Sequence, residues 1–89
     1  MNEWQVQFTH EAEEDLKRLD KPIQKRVTNK IIWLSEKSSQ IDHQSLSNLW
    51  RDYFKLRVGD WRIIYQIDYS QHLITIFNIE NRDKVYRKI

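Results

Sequence analysis

The sequence predicts an α+β fold in which an N-terminal strand and a helical hairpin precede an antiparallel β-meander. Apolar residues recur at every second position near the N-terminus and again after residue 50, which is typical of half-buried strands. Between these regions they recur at helical spacing on both sides of Pro22, the only proline. Packing both helices on one face of the sheet is the economical way to bury these apolar stripes. We expect residues 1–89 to form one domain.

The first strand and first helix are predicted near the N-terminus. The apolar face of the strand consists of Trp4, Val6 and Phe8. Thr9 follows as a helix N-cap, and acidic residues crowd positions 11–15, where the helix dipole favours negative charge. The apolar stripe of this helix consists of Ala12, Leu16 and Leu19.

A second helix is predicted to begin around Pro22, because proline is tolerated in a first helical turn and disfavours helix in the residue before it. Its apolar stripe consists of Ile23, Val27, Ile31 and Leu34. The two helices then form a hairpin. The polar stretch over residues 35–47 has no regular period, so we expect a loop with room for a short turn of helix.

Three strands of a meander are predicted from residue 50 onward. Gly59 and Asp60 form the only glycine-containing turn of the chain and suit a two-residue β-hairpin. A second turn at residues 68–71 leads to a third strand over residues 72–79, and a polar, basic tail begins at Asn81. The predicted core-facing set of the first two strands is Phe54, Leu56, Val58, Trp61, Ile63, Tyr65 and Ile67.

Composition argues against several kinds of site. The chain has no cysteine, which excludes disulfides and thiolate metal ligands, and its three histidines lie far apart. We therefore expect neither a metal nor a cofactor. The N-terminus has no basic leader, and no segment approaches the roughly 20 apolar residues that a membrane span needs. We expect a cytoplasmic protein that does not contact a membrane.

The positive charge lies downstream of the first helix. The net charge is only +2, but residues 1–20 carry six acidic and two basic side chains, whereas residues 50–89 carry eight basic and five acidic ones. If the turn is formed as predicted, Arg57 lies directly opposite Arg62, and Lys55 shares their face of the sheet. Like charges in this position destabilise a strand pair. Either the long side chains splay apart in solvent, or the cluster binds an anion.

The motifs around these residues resemble those of the RelE/ParE toxin superfamily. Residues 54–67 are similar to the stretch K-L-R-x-G-x-[YW]-R-[VIL]-[VI]-Y of RelE-type toxins. Residues 8–20 resemble their opening F-T-x-x-A-x-x-D-L-x-x-L, and residues 81–87 resemble their C-terminal H-R-x-x-V-Y-R. The likeness spans nearly the whole chain with the motifs in the family order, which implies a RelE-like fold.

The resemblance implies a metal-independent endoribonuclease, an mRNA interferase, that cuts messenger RNA at the ribosomal A site and inhibits translation. The RNA 2′-hydroxyl would attack the adjacent phosphate. By position in the motif, Arg57 and Arg62 would grip that phosphate, and Lys55 would be a proton-transfer group. Tyr86 matches the tyrosine of the C-terminal motif and completes the implied catalytic set. The expected RNA-binding residues are Arg82 and Arg87 in the tail, together with Tyr53, whose aromatic ring is a candidate for stacking on a base.

Two positions depart from the family pattern. Asn81 stands where many relatives have histidine, and an amide cannot act as a general acid or base. Tyr53 stands where some members have a further lysine, and its ring suits stacking on an RNA base. Tyr86 has a second interpretation as a packing residue that covers the edge of the sheet.

The resemblance leaves three functions open. They are a ribosome-dependent mRNA endonuclease, a ParE-like inhibitor of DNA gyrase, and a catalytically weak toxin that acts only as an antitoxin-binding partner. The set Lys55, Arg57 and Arg62 favours the first, because the ParE branch generally lacks it. A cognate antitoxin protein and a toxin–antitoxin hetero-oligomer are implied throughout. The nuclease would also have mRNA and the ribosome as partners.

Overall fold

Residues 4–46 and 52–81, which the computed structural model describes, contain two helices and five strands. Their order confirms the α+β prediction of a strand, a helical hairpin and a meander. The elements are β1 (Gln5–Phe8), α1 (His10–Lys17), α2 (Lys21–Lys37), β2 (Gln44–Ser45), β3 (Phe54–Val58), β4 (Trp61–Asp68) and β5 (Leu73–Asn81). Neither helix of this described part is long and apolar enough to cross a membrane.

The strands form one mixed sheet in the order β1-β5-β4-β3-β2. β3, β4 and β5 pair antiparallel, as the meander prediction requires. β1 lies beside β5 and runs parallel to it, with Val6 opposite Ile74. Parallel neighbours need a crossover connection. Here the chain between β1 and β5 contains both helices and the other three strands, β2, β3 and β4.

Both helices begin where the sequence indicates. The Thr9 hydroxyl oxygen accepts a hydrogen bond from the Ala12 N–H at 3.1 Å, which satisfies one of the free donors in the first turn of α1. α2 begins with Asp20 at the N-cap position and Pro22 in the first turn. Proline has no N–H to leave unpaired there, so it starts the helix without losing a hydrogen bond.

The core lies between the helices and one face of the sheet. Its buried members are Trp4, Ala12, Leu19, Val27, Ile31, Leu34, Ile63, Tyr65, Ile74, Ile76 and Ile79. Trp61, which the strand period assigns to the core, packs partly buried against this cluster. The opposite face, called the outer face below, carries the strand residues of the other parity, including Lys55, Arg57 and Arg62.

A bulge in β5 resets the register of the sheet. Ile64 lies opposite Asn78, whereas the next residue, Tyr65, lies opposite Ile76, so Phe77 is an extra residue. Side chains beyond the bulge therefore change faces relative to a regular hairpin. The strand also continues to residue 81, two residues past its predicted end.

α1 supplies the hydrogen bonds that the bulge leaves open. The Thr9 hydroxyl donates to the Phe77 carbonyl oxygen at 3.0 Å, and the Asp15 carboxylate accepts from the Ile79 N–H at 3.0 Å. Both side chains belong to the first predicted helix, yet they bond to the last strand. This pairing satisfies backbone groups that the sheet cannot pair itself.

The expectation of a loop over residues 35–47 is wrong in two places. α2 continues to Lys37, because the hydroxyls of Ser35 and Ser38 donate to backbone carbonyls within the helix instead of interrupting it. β2 also lies in this stretch and pairs with β3 through its backbone. A strand of two polar residues has no apolar period by which a sequence reveals it.

Candidate active site

The hairpin between β3 and β4 places three cations on the outer face. Arg57 lies directly opposite Arg62, which confirms the predicted register. Gly59 has a φ of +59°, the left-handed conformation that the two-residue turn requires. Lys55 precedes Arg57 by two positions and therefore shares its face.

A pocket of about 420 Å³ opens beside these cations. One wall comes from the segment between α2 and β2. The complete lining is Ile41, Asp42, Gln44, Lys55, Leu56, Arg57, Arg62 and Tyr65. Three cations and one carboxylate give this pocket a net positive charge, which suits a phosphate group because guanidinium forks match phosphate oxygens.

The Arg62 guanidinium is held from the neighbouring strand. The bulge places Glu80 opposite Arg62, and Nη2 of Arg62 donates to Oε2 of Glu80 at 3.1 Å. The two side chains are 20% and 32% exposed, respectively. Within the described residues, the buried Nε of Arg62 has no hydrogen-bond partner. That N–H is an unused hydrogen-bond donor. Arg57, by contrast, is exposed.

His43 connects the pocket wall to the sheet. Its Nδ1 lies 2.7 Å from the Tyr65 hydroxyl oxygen, and its Nε2 lies 2.9 Å from the Ser38 carbonyl oxygen. A carbonyl oxygen only accepts, so Nε2 carries a proton, and in the neutral imidazole Nδ1 accepts from the Tyr65 hydroxyl. Burial raises the pKa of Tyr65 well above its ordinary value of 10.0. The phenol is therefore the neutral donor that this contact requires.

The remaining predicted site residues have different surroundings. The Tyr53 ring packs edge-on against Phe77, with centroids 5.1 Å apart. Asn81 lies opposite Trp61, so its register assigns it to the core side of the sheet rather than to the face of Arg62. The three predicted residues of the tail lie outside the described residues, and their roles stay predictions. They are Arg82, Tyr86 and Arg87.

Sequence reasoning missed four residues in and beside the pocket: Asp42, His43, Gln44 and Glu80. Asp42, His43 and Gln44 belong to the stretch that the sequence predicts as a loop. The only signal there that two side chains share a face is the two-residue spacing of Asp42 and Gln44. Glu80 reaches the face of Arg62 only because of the bulge. No local pattern in the sequence marks that extra residue.

A second pocket, of about 610 Å³, lies toward the other end of the sheet. Its described lining includes the carboxylates of Asp52 and Asp68 and no basic side chain, so it repels phosphate. Within residues 4–46 and 52–81, no three His, Asp or Glu side chains are grouped to hold a metal ion. The candidate active site is therefore the first pocket, because Lys55, Arg57 and Arg62 line it together.

Comparison with known proteins identifies the family. Residues 6–86 match the family described as "ParE toxin of type II toxin-antitoxin system, parDE". The chain belongs to this ParE toxin family. The matched range includes β3 and β4 and thus every cation of the candidate site in this ParE-family toxin. The predicted membership of the RelE/ParE superfamily is confirmed. A search among curated proteins finds no match.

Solved RelE structures share the fold of this ParE-family toxin. A chain of the toxin–antitoxin complex RelBE2 from Mycobacterium tuberculosis is 26% identical, with a TM-score of 0.80 over 90% of this chain and 92% of that chain. The isolated E. coli RelE toxin is 14% identical, with a TM-score of 0.73 over 97% and 99%. The RelB–RelE complex from Methanococcus jannaschii has a matching chain that is 22% identical, with a TM-score of 0.72 over 94% and 99%. The RelE-like fold is thereby confirmed along nearly the full length.

Proposed function

We propose that this toxin is a metal-independent endoribonuclease that cleaves mRNA on the ribosome, at the A site, and so inhibits translation. The observation that carries this proposal is the single pocket lined by Lys55, Arg57 and Arg62. Two arginines directly opposite each other oppose folding, and a bound anion would offset the part of this cost that Glu80 leaves uncompensated. Their positions also match the RelE-type motif, which supports RNA as that anion.

The proposed reaction transfers the scissile phosphate to the neighbouring 2′-hydroxyl. A bond forms between the 2′-oxygen and phosphorus while the bond to the 5′-oxygen of the next nucleotide breaks. The products are a 2′,3′-cyclic phosphate and a 5′-hydroxyl. Arg57 and Arg62 stabilise the charge that develops on the phosphorane oxygens. Lys55 and Tyr86 are the proposed proton-transfer groups: one takes the proton from the 2′-hydroxyl, and the other gives a proton to the departing 5′-oxygen.

A cognate antitoxin is the proposed protein partner. The M. tuberculosis and M. jannaschii structures that resemble this chain are toxin–antitoxin complexes. A nuclease that destroys messages needs such a partner to be silenced. Expression of the toxin alone is expected to arrest growth, and co-expression of the antitoxin is expected to restore it. Normal growth with the unmodified toxin alone at high level contradicts this part of the proposal.

The proposed activity is tested on translating ribosomes programmed with a defined message, by mapping new 3′ ends. Wild-type protein should cut at A-site codons, and Arg62→Ala should reduce the rate at least about 100-fold, the typical cost of losing a group that stabilises transition-state charge. Asp68→Ala is the matched control, because Asp68 lines the other pocket. It should cut at the wild-type rate. An intact message with wild-type protein overturns the proposal.

The family match favours ParE-like inhibition of DNA gyrase as a second candidate, since the matched family is described as ParE toxin. The same preparations are therefore added to a DNA supercoiling assay. Blocked supercoiling together with an intact message identifies the second candidate. Inactivity in both assays leaves the third candidate, a catalytically weak toxin that acts only by binding its antitoxin.

A further inference from the structure

The wall of the cationic pocket has few backbone contacts with the sheet. Among the described residues, β2 pairs with β3 at two positions, where Gln44 lies opposite Lys55, and the Leu46 N–H donates to the Tyr53 carbonyl oxygen at 2.8 Å. Asp42 also lines the pocket but precedes β2 and lies outside this strand pair. The cations, in contrast, stand on β3 and β4, which pair at five positions. The distance between Asp42 and the cations therefore depends on contacts made by side chains as well as on this short strand pair.

His43 makes those contacts from its place between the two wall residues. It hydrogen-bonds to Tyr65 on β4 and to the Ser38 carbonyl at the end of α2. Its ring also stands against the rings of Phe54 and Tyr65, with centroids 5.5 and 5.7 Å away. Both ring nitrogens are occupied, so His43 has no free lone pair with which to act as a general base. Its role in this arrangement is to position its neighbours.

The chemistry of the wall differs from that of the cations. The guanidinium groups attract phosphate oxygens, whereas the Asp42 carboxylate repels them and accepts hydrogen bonds from hydroxyl groups. Gln44 offers both an acceptor and donors. A strand of RNA whose phosphate lies on Arg57 and Arg62 carries a 2′-hydroxyl donor on each ribose, and DNA lacks this group.

We propose that His43 and Tyr65 are positioning residues that hold the wall of Asp42 and Gln44 beside the cations, so that the wall accepts a ribose 2′-hydroxyl and selects RNA over DNA. This inference rests on the proposed function, because it assigns the sugar of the same substrate. Tyr65 is 1% exposed and its ring belongs to the core. Tyr65→Phe therefore removes the hydroxyl that holds His43 while preserving the packing.

Equilibrium binding of single-stranded RNA, and of DNA of the same sequence, tests the inference in the absence of ribosomes. RNA integrity is checked on a gel. Wild-type protein should prefer RNA about fivefold, the contribution of one hydrogen bond. Tyr65→Phe and His43→Leu should reduce this preference below about twofold, with DNA affinity little changed because the cations remain. His43→Gln should retain most of the preference, since its amide carries both an acceptor and donors.

Ser39→Ala is the matched control. It removes the 3.1 Å hydrogen bond from Trp4 Nε1 in the same segment, at a residue that does not line the pocket, and should leave the RNA preference unchanged. Thermal unfolding verifies that every variant is folded. An unchanged preference in Tyr65→Phe, or an equal loss in Ser39→Ala, overturns the inference. Equal wild-type affinity for RNA and DNA, or failure to bind either polymer, also overturns the inference. The proposed function fails separately, when the message stays intact on translating ribosomes.

Discussion

Arg57 and Arg62 face each other across β3 and β4, where two like charges oppose folding. Glu80 offsets part of this cost, because its carboxylate bonds to the Arg62 guanidinium from β5 at 3.1 Å. The same carboxylate lowers the positive potential that an approaching phosphate meets. Glu80 therefore acts in opposite directions on the stability of the fold and on its affinity for RNA.

Glu80→Gln is expected to raise the affinity for single-stranded RNA about threefold at low salt, and this gain should vanish at high salt, where charges are screened. The free energy of unfolding should fall by less than about 1 kcal/mol, since the ion pair is partly exposed. Fluorescence anisotropy and urea unfolding measure the two effects. Asp68→Asn makes the same charge change at the far end of β4 and should leave RNA affinity nearly unchanged. Weaker RNA binding by Glu80→Gln contradicts this account of Glu80.

Tyr65 gives the fold a specific dependence on alkaline pH. Burial raises the pKa of the folded Tyr65 above its ordinary value of 10.0, so the phenol remains neutral in the folded chain while it ionises in the unfolded chain. Its contribution to stability is fully present below pH 10.0 and is lost as the pH rises toward the folded pKa. Between pH 10.0 and the folded pKa, wild-type protein should lose about 1.4 kcal/mol per pH unit relative to Tyr65→Phe. Parallel losses in urea unfolding of the two proteins contradict this assignment.

At the scale of the elements, α1 determines which side chains of β5 face the cations. Thr9 and Asp15 bond to the backbone around the bulge at Phe77. Without the extra residue, a regular hairpin places Ile79 rather than Glu80 opposite Arg62. Both α1 side chains lie in the opening motif of the chain, which gives that motif a structural role beyond capping the helix.

Asp15→Ala is expected to lower the free energy of unfolding by about 1.5 to 3 kcal/mol, because the Ile79 N–H loses a charged acceptor. Asp15→Asn should cost less, since its amide oxygen still accepts. Urea unfolding measures both changes. Glu13→Ala, at an exposed position of the same helix, is the control and should change the stability by less than about 0.5 kcal/mol. An equal effect of Asp15→Ala and Glu13→Ala contradicts the role of the bulge contact.

Across the whole molecule, the helices cover one face of the sheet and charge is separated along its length. The pocket of Lys55, Arg57 and Arg62 lies at the hairpin between β3 and β4, and the pocket with Asp52 and Asp68 lies toward the turn between β4 and β5. This polarity favours phosphate at one end and repels it at the other.

The sequence predicts the arginine pair well because the determinants are local. A two-residue turn at Gly59 and Asp60 specifies the register on both of its sides, so Arg57 and Arg62 have to meet. The helix starts are equally local, since Thr9 and Pro22 act within a single turn. The hairpin register and both helix starts therefore depend on residues that are only a few positions apart in the sequence.

The parts that escaped prediction depend on distant residues. The bulge is held by side chains 64 and 68 residues away in sequence. His43 meets Tyr65 across 22 residues, and it does so from a polar stretch with no period. The sequence therefore predicts the cations of the site and misses both Glu80 and the wall.

The chemical form of the new RNA ends decides whether this pocket is a nuclease site. Messages cut on translating ribosomes are analysed by mass spectrometry for wild-type protein, Arg57→Ala and Arg62→Ala. We expect 2′,3′-cyclic phosphate and 5′-hydroxyl ends with wild-type protein, and their loss in both variants. Ends with a 3′-hydroxyl and a 5′-phosphate, or undiminished cutting by Arg62→Ala, would contradict cleavage by the 2′-hydroxyl in the pocket of Lys55, Arg57 and Arg62.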